Sequence, residues 1–293
     1  MKTSLQPDTT ADQKGWQGTL HLVFGRQGPK TCVLQAQTQA PLKVQRPFYP
    51  EGDRGCHSVI VHTAGGMVGG DRLQLELTAQ PAAQALITTA AASKIYRSNG
   101  ATAQQHIKLA IAPAAWLEWL PQETIVFAGA DYAQTLHIDL APGGVWLGWE
   151  ITRLGRTARG ERFTTGHWRS RTEVWQAGQP LWIDRQWLPG QDTVWHSPHG
   201  LWNCPVVGSL AFLGPAVDPE VVQHARDRWA EVAPPPSPNQ AITEIGVSRL
   251  QSGLICRYRG HSTTLARQWF GAVWHLLRCQ YGDRPACPPR VWQ

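Results

Sequence analysis

The feature that most constrains this chain is a repeated alternation of apolar and polar residues along its first two thirds. Apolar residues recur at every second position in four clear runs: Leu20, Leu22 and Phe24; Leu73, Leu75 and Leu77; Ile107, Leu109 and Ile111; Leu136, Ile138 and Leu140. Because side chains alternate between the two faces of a strand, this period predicts strands with one buried face. The fold is therefore predicted to be mainly β, as a sandwich, a barrel or a layered β structure.

Two segments near the C-terminus break this alternation and predict α-helices. The first, "DPEVVQHARDRWAEV", begins with a capping Asp218 followed by Pro219 at the first helical position. The second, "STTLARQWFGAVWHLLRCQYG", carries an apolar stripe at helical spacing and ends at Gly282. The segment between them predicts a β-hairpin. No repeat or domain boundary is evident, so we expect a flexible N-terminal tail over 1–15 and a single domain over 16–293.

Composition restricts the class of protein without identifying it. The chain has 293 residues and a formal net charge of +6, which permits an acidic partner without requiring nucleic acid. None of the six cysteines forms a Cys-x-x-Cys pair, so a structural zinc site is not expected. The polar N-terminus lacks a secretory signal, and no apolar run is long enough to span a membrane. These features predict a cytoplasmic protein with free thiols.

The glycine-rich stretch "HTAGGMVGGDRL" allows three interpretations. It lacks the Lys and hydroxyl of a phosphate-binding P-loop, and a strand pattern follows it where a dinucleotide site needs a helix. A tight turn between strands, built from Gly65, Gly66, Gly69 and Gly70, is the structural interpretation. The carboxylate of Asp71 leaves open a site for a hard or borderline cation.

Other polar clusters each have a structural and a functional interpretation. Ser93 and Lys94 are adjacent, so on a strand they face opposite ways and do not form a nucleophile and base. Lys94 and Arg97 are either solvated cations or contacts for an anion or a partner carboxylate. The array Arg153, Arg156, Arg159 and Arg162 lacks the aromatic platform of RNA-binding modules, which favours exposed cations or a partner interface.

Acidic residues and histidines offer further candidates of the same kind. Glu118 and Glu123 could do acid–base work only if the fold brings them together. His196 and His199 could hold a metal weakly, but a solvated loop explains them as well. His62 follows an apolar run and is more often a structural histidine than a ligand.

Six segments together resemble the UreD family, also called UreH, of urease accessory proteins. In chain order they are "VQRPFYPEG", "HTAGGMVGGDRL", "LITTAAASKIYRSNG", "LEWLPQETIVFAGA", "GWEITRLGRTARGERF" and "GVSRLQSGLICRYRGHS". The resemblance implies a layered, β-helix-like or β-sandwich-like single domain with two C-terminal helices. It also implies a protein that is not an enzyme.

The same resemblance implies a function and the residues that serve it. Proteins of this family work with UreF and UreG to insert nickel into apo-urease, and UreG is reached through UreF. Asp71, Glu150 and Asp184 are implied as transient nickel ligands along an internal tunnel, and Ser93 as part of its wall. Nickel is then cargo rather than a tightly bound cofactor, and no nucleic acid or membrane is involved. A structural chaperone that binds urease without conducting nickel is the alternative.

Overall fold

The computed structural model describes residues 15–235 and 242–292, so residues 1–14 of the predicted tail lie outside it. The first strands are β1 (Gln17–Gln27), β2 (Lys30–Gln39), β3 (Leu42–Val44), β4 (Cys56–His62), β5 (Arg72–Ala79), β6 (Gln84–Thr89), β7 (Ser93–Ile95) and β8 (Ala103–Ile111). They are followed by β9 (Trp116–Trp119), β10 (Thr124–Val126), β11 (Asp131–Leu140), β12 (Val145–Leu154), β13 (His167–Gln176), β14 (Gln179–Pro189), β15 (Val206–Leu213), β16 (Glu244–Leu250) and β17 (Gly253–Gly260). The helices are α1 (Asp192–His196), α2 (Pro219–Val232) and α3 (Thr263–Gly282).

Two sheets form the body of the molecule. Sheet A has the strand order β14-β13-β11-β8-β5-β1-β2, with parallel pairing from β1 to β13 and antiparallel edge strands β2 and β14. Sheet B runs β16-β17-β15-β12-β9-β6-β4-β3, with parallel pairing from β4 to β12. The short strand β10 pairs with the short strand β7 on one side and with the end of β12 on the other, which makes a narrow third face. This layered, β-helix-like arrangement confirms the predicted fold class.

The turns that lead from sheet A to sheet B repeat one conformation. Proline follows β5, β8 and β11 at Pro81, Pro113 and Pro142, and the next residue in each case has a positive φ: 58° at Ala82, 58° at Ala114 and 76° at Gly143. Backbone hydrogen bonds join the successive turns, for example from Ala82 N to the carbonyl of Pro113. A structural repeat therefore exists even though the sequence shows no obvious one.

The alternating apolar residues all point into the space between the two sheets, as predicted. All four runs are buried in this first core. The outer face of sheet B carries a second core, where α2 and α3 bury the aromatic face that includes Trp269, Phe270 and Trp274. Sheet B is thus covered on both faces, which explains its nearly continuous apolar strands.

The predicted helices and hairpin are confirmed with small differences. Helix α3 is capped by the Ser262 hydroxyl, which accepts a hydrogen bond from Leu265 N, whereas Asp218 makes no side-chain cap on α2 although Pro219 opens it. Strands β16 and β17 form the expected hairpin. The five-residue helix α1 was not predicted. Within the described ranges, no helix is long and apolar enough to cross a membrane.

Candidate functional site

A line of polar residues crosses sheet A within its otherwise apolar inner face. Gln134 on β11 is in register with Gln105 on β8 and with Ser170 on β13, and Ser170 is in register with Gln186 on β14. On β8 and β11 the next inward positions are apolar, at Ile107 and Leu136. The four strands therefore present one continuous polar rung to sheet B.

Sheet B presents a matching rung opposite the first. Glu150 on β12 is in register with Ser209 on β15, which is in register with Arg257 on β17. Side-chain hydrogen bonds join the two rungs, including one from Gln186 Nε2 to Ser209 Oγ at 3.4 Å. We call the two rungs, together with Asp184 on β14, the polar layer.

Glu150 lies at the centre of the polar layer. Gln134 Nε2 donates to its Oε1, and Ser170 Oγ donates to its Oε2 at 3.0 Å. Removal from water by the surrounding sheets raises the pKa of Glu150 to about 7, and the negative charge of Asp184 adds to this effect. Burial therefore favours the protonated form of this side chain.

Asp184 is bound differently, by a cation. Arg257 donates to both of its oxygens, from Nη2 to Oδ1 at 2.7 Å and from Nη1 to Oδ2 at 2.8 Å. Gln186 Nε2 adds a bond of 2.8 Å to Oδ2. This bidentate geometry makes a strong ion pair, so Asp184 is a paired carboxylate.

Tyr132 extends the polar layer towards β8. Its hydroxyl oxygen lies 2.9 Å from Oε1 of both Gln105 and Gln134. Burial, and then the charge of Glu150, raises the pKa of Tyr132 above its ordinary value. It therefore stays a neutral hydroxyl that links the two amides.

Three cavities lie in a row along these residues. The largest, about 320 Å³, is lined by Gly66, Lys94 and Ser93 and reaches Gln105. The middle cavity, about 30 Å³, shares Ser93 and Gln105 with the first and extends to Glu150.

The third cavity, about 10 Å³, shares Glu150 with the middle one and ends at Asp184 and Ser209. A water molecule needs at least 10–15 Å³ of such volume. The series is therefore wide at the glycine-rich loop and nearly closed at Asp184.

The glycine-rich stretch, between β4 and β5, lines the largest of these three cavities. Gly66 has a φ of 157°, and a Cβ there would lie 2.6 Å from the carbonyl oxygen of Lys94 and 2.5 Å from the ring of Tyr96. Gly65 and Gly70 also have positive φ. Strands on both sides confirm the interpretation as a turn and rule out a helix-based nucleotide site.

Asp71 is buried and bound to backbone in this turn. Its Oδ1 accepts a hydrogen bond from Trp16 N and its Oδ2 one from Val68 N, both at 2.8 Å. It therefore ties the start of β1 to the glycine-rich loop. The structure brings Glu150 and Asp184 together but places Asp71 in a structural position outside the polar layer.

The predicted contact cations lie on the narrow third face and its neighbouring loops. Lys94 and Arg97 are exposed, and Lys94 also lines the largest cavity. Arg156 pairs with Glu161 and stacks over the ring of Phe127 at 4.5 Å. Only Lys94 thus combines exposure with access to the interior.

Glu118 and Glu123 have separate cationic partners. Arg278 holds Glu118, and Arg267 holds Glu123 at 3.1 Å. This arrangement gives no support to an acid–base pair.

The histidine candidates also have local roles. His196 Nδ1 lies 2.7 Å from Asn203 Oδ1, and burial lowers the pKa of His62. In the described ranges there is no group of three or more His, Cys, Asp or Glu side chains that could hold a metal ion.

Several members of the polar layer escape a search for motifs. Gln105, Gln134, Ser170 and Ser209 belong to no recognised signature, and Arg257 lies in the family-like segment "GVSRLQSGLICRYRGHS" without being singled out there. Gln105, Gln134 and Ser170 are marked only by position, because each replaces an apolar residue at an inward position of an alternating strand. Such a substitution predicts either a buried network or a hydrated interior.

The donor set of the polar layer is made of oxygen atoms. Two carboxylates, amide carbonyls and hydroxyls suit a hard or borderline divalent cation, and the layer contains no thiolate or imidazole. Both carboxylates line the smallest cavity, where Asp184 is already paired with Arg257 and Glu150 has no cationic hydrogen-bond partner. This arrangement suits a weakly bound ion better than a stored one.

Comparisons with known proteins agree along nearly the whole chain. The profile of the UreD urease accessory protein family matches residues 17–293. The urease accessory protein UreD of Nostoc punctiforme is 57% identical over 280 residues, which cover 96% of this chain and 97% of the relative. That of Acaryochloris marina is 55% identical over 98% of this chain and 99% of the relative, and that of Methylobacillus flagellatus is 38% identical over 95% of each.

Proposed function

This chain belongs to the UreD family of urease accessory proteins, and on that premise we propose that its polar layer passes nickel(II) to apo-urease. Family membership gives the chain a role in urease maturation, as an accessory protein and not as a catalyst. Nickel transit is the step that we add. The observation that carries it is Glu150, an interior carboxylate that lies between two cavities and has only neutral hydrogen-bond donors.

The state of Glu150 supports binding that is reversible. A buried carboxylate without a cationic hydrogen-bond partner is unfavourable, and burial raises the pKa of Glu150 to about 7 despite the hydrogen bonds from Ser170 and Gln134. A divalent ion would supply a positive charge and displace the proton. Because only one or two carboxylate oxygens are available at each position, the ion can also leave, as transit requires.

Ser93 suggests where the ion enters. It lines the cavity next to the glycine-rich loop and also the middle cavity that leads to Glu150. The hydroxyl can replace one water of a hydrated ion. We therefore propose that nickel enters beside this loop and moves towards Asp184.

The partners in this proposal are apo-urease, a UreF-type protein and, through it, a UreG-type protein, in a cytoplasmic complex. The second candidate is a urease-binding chaperone that conducts no nickel. The buried position of Asp71 favours a structural role for that residue under either proposal.

The experiment that separates the two uses Glu150→Gln, which keeps the shape and hydrogen-bonding capacity of the side chain. Glu76→Gln, an exposed change on the outer face of β5, is the matched control. Each variant is co-expressed with urease and the other accessory proteins, and nickel per urease active site is measured by mass spectrometry alongside co-purification of the complex.

We expect Glu150→Gln to retain the complex but to lower the nickel content of urease several-fold, with Glu76→Gln unchanged. Normal nickel loading by Glu150→Gln would refute transit through the polar layer and leave the chaperone role.

A further inference from the structure

We propose that Arg257 is a latch that closes the narrow end of the polar layer and must leave Asp184 before a divalent cation can bind there. This inference rests on the proposed transit function. It concerns a residue with no role in that function so far, and it assigns Asp184 and Glu150 different tasks.

The contacts of Arg257 occupy the carboxylate on which transit depends. Both oxygens of Asp184 accept hydrogen bonds from the guanidinium, and Arg257 Nη1 also donates to Ser209 Oγ at 2.5 Å. Gln186 occupies Asp184 Oδ2 as well. In this state Asp184 offers a metal ion neither free charge nor a free pair of oxygens.

Glu150 provides the contrast within the same layer. Its direct partners are the amide of Gln134 and the hydroxyl of Ser170, so its charge is left uncompensated at hydrogen-bonding distance. A metal ion that arrives at Glu150 therefore meets a carboxylate without a paired cation first, and the guanidinium of Arg257 next. The positive charge of Arg257 repels a cation, so the paired Arg257 opposes onward movement.

The position of Arg257 suits a side chain that can move. It lies on β17, one strand from the edge of sheet B, and its partner Asp184 lies on β14, the edge strand of sheet A. The Arg257 side chain is 41% exposed, whereas that of Asp184 is 15% exposed. The guanidinium carbon also lies 6.0 Å from the ring centre of Trp182. Arg257 can therefore turn towards solvent without crossing the core.

The cavities agree with a closed end. Volume falls from about 320 Å³ at the glycine-rich loop to about 30 Å³ beside Glu150 and about 10 Å³ where Asp184 and Ser209 meet. Arg257 bridges the two residues at this narrowest point. Its departure would free both of them together.

The test is equilibrium binding of nickel(II), added as nickel sulfate in a non-chelating buffer, to the full chain by titration calorimetry. Arg257→Gln removes the cation and keeps a polar side chain. Arg185→Gln, on the exposed outer face of β14, removes an equal charge and is the matched control. The double change Arg257→Gln with Asp184→Asn leaves a neutral pair, and Glu150→Gln tests the layer itself. Thermal melting checks that each variant is folded.

We expect Arg257→Gln to bind nickel about tenfold more tightly, a difference of about 1.4 kcal/mol, because Asp184 becomes available. Arg185→Gln should bind nickel with the affinity of the unmodified chain, and the double variant should lose the increase in affinity. If Arg257→Gln melts below the assay temperature, Arg257→Lys carries the same test with a gain of about threefold, because it cannot donate to both oxygens in the same plane.

The latch would be overturned if Arg257→Gln bound nickel with an affinity within twofold of the unmodified chain. It would also be overturned if the double variant, which lacks the Asp184 carboxylate, kept the higher affinity. Weaker binding by Glu150→Gln together with an unchanged Arg257→Gln would remove the latch alone. Unchanged binding by Glu150→Gln would instead remove the proposed transit function, whatever Arg257 does.

Discussion

Replacing Arg278 by methionine should destabilise this protein more than the loss of any other single ion pair that the structure describes. Arg278 on α3 is 1% exposed and donates from Nε and Nη2 to the two oxygens of Glu118, at 2.8 and 2.7 Å. Its Nη1 donates to Glu51 at 2.7 Å. Helix α3 is thereby joined to β9 and to the loop before β4.

The magnitude follows from what the substitution leaves behind. Glu118 is 0% exposed and would keep the indole N–H groups of Trp116 and Trp274 as hydrogen-bond donors, with Arg284 as the remaining nearby cation. Removing one partner of a buried pair typically costs about 3–5 kcal/mol, because a buried charge is left uncompensated. Glu51 retains His57 at 2.6 Å and contributes less to this loss.

The pH dependence gives a second measurement. Burial raises the pKa of Glu51, but hydrogen bonds from His57 and Arg278 outweigh this effect and hold the pKa at about 2. Burial also raises the pKa of Glu118, and Arg278 outweighs it and keeps that pKa below its ordinary value. A lowered pKa stabilises the fold above the ordinary value of 4.5, and this contribution is lost as the pH falls towards 2. The difference between the unmodified chain and Arg278→Met should therefore be largest near neutral pH and shrink below pH 4.5.

Urea unfolding followed by tryptophan fluorescence measures the difference at each pH. Arg267→Met is the matched control on the same helix, because its pair with Glu123 is 27% and 18% exposed and should cost at most about 1 kcal/mol. Adding Glu118→Gln to Arg278→Met should recover at least about 2 kcal/mol, since it removes the stranded charge. Equal losses for the two arginine variants, or a difference that grows in acid, would refute this reasoning.

Three further outcomes are expected. Glu150→Gln should stabilise the fold above pH 7 but not below pH 4.5, because folding raises the pKa of Glu150 from 4.5 to about 7 and the stability of the unmodified chain therefore falls over that interval. The fall is at most about 3 kcal/mol, and about 1–2 kcal/mol after allowing for partial exposure. Urea unfolding at a series of pH values measures it. Gly66→Ala should cost at least about 2 kcal/mol more than Gly65→Ala in thermal or urea unfolding, because only at Gly66 would the new Cβ overlap Lys94 and Tyr96; equal losses would contradict this. Asp71→Asn should lower the free energy of unfolding by about 1–2 kcal/mol, because an amide has one oxygen and cannot accept hydrogen bonds from both backbone N–H groups. Amide hydrogen exchange at Val68 should become faster; unchanged slow exchange there would argue against the structural role of Asp71.

The polar layer shows how far a sequence can be interpreted one strand at a time. Gln105 and Gln134 stand at inward positions of strands whose other inward residues are apolar, which marks them as unusual. The resemblance to a family named Glu150 and Asp184 as nickel ligands along a tunnel, and in the structure both line one small cavity. It grouped Asp71 with them, although the structure gives Asp71 two backbone partners in a turn.

Local patterns alone determined the strands, the turns and both long helices. Period-two alternation fixes which face of a strand is buried, and a capping residue with a helical stripe fixes where a helix starts and which side packs. These effects act over a few residues, so they are present in the sequence itself. The same reasoning predicted a mainly β fold without choosing among a sandwich, a barrel and a layered structure, and only the resemblance to a family implied the layered, β-helix-like one.

Only the tertiary structure decided which charged side chains meet. Arg278 reaches Glu118 across 160 positions of chain, and Arg257 reaches Asp184 across 73. Such pairs depend on strand register and on the packing of a helix against a sheet, and a slip of one residue would turn each side chain to the opposite face. The sequence contains the partners, but the register of the folded sheets determines that Asp184 is paired with a cation while Glu150 is left without one.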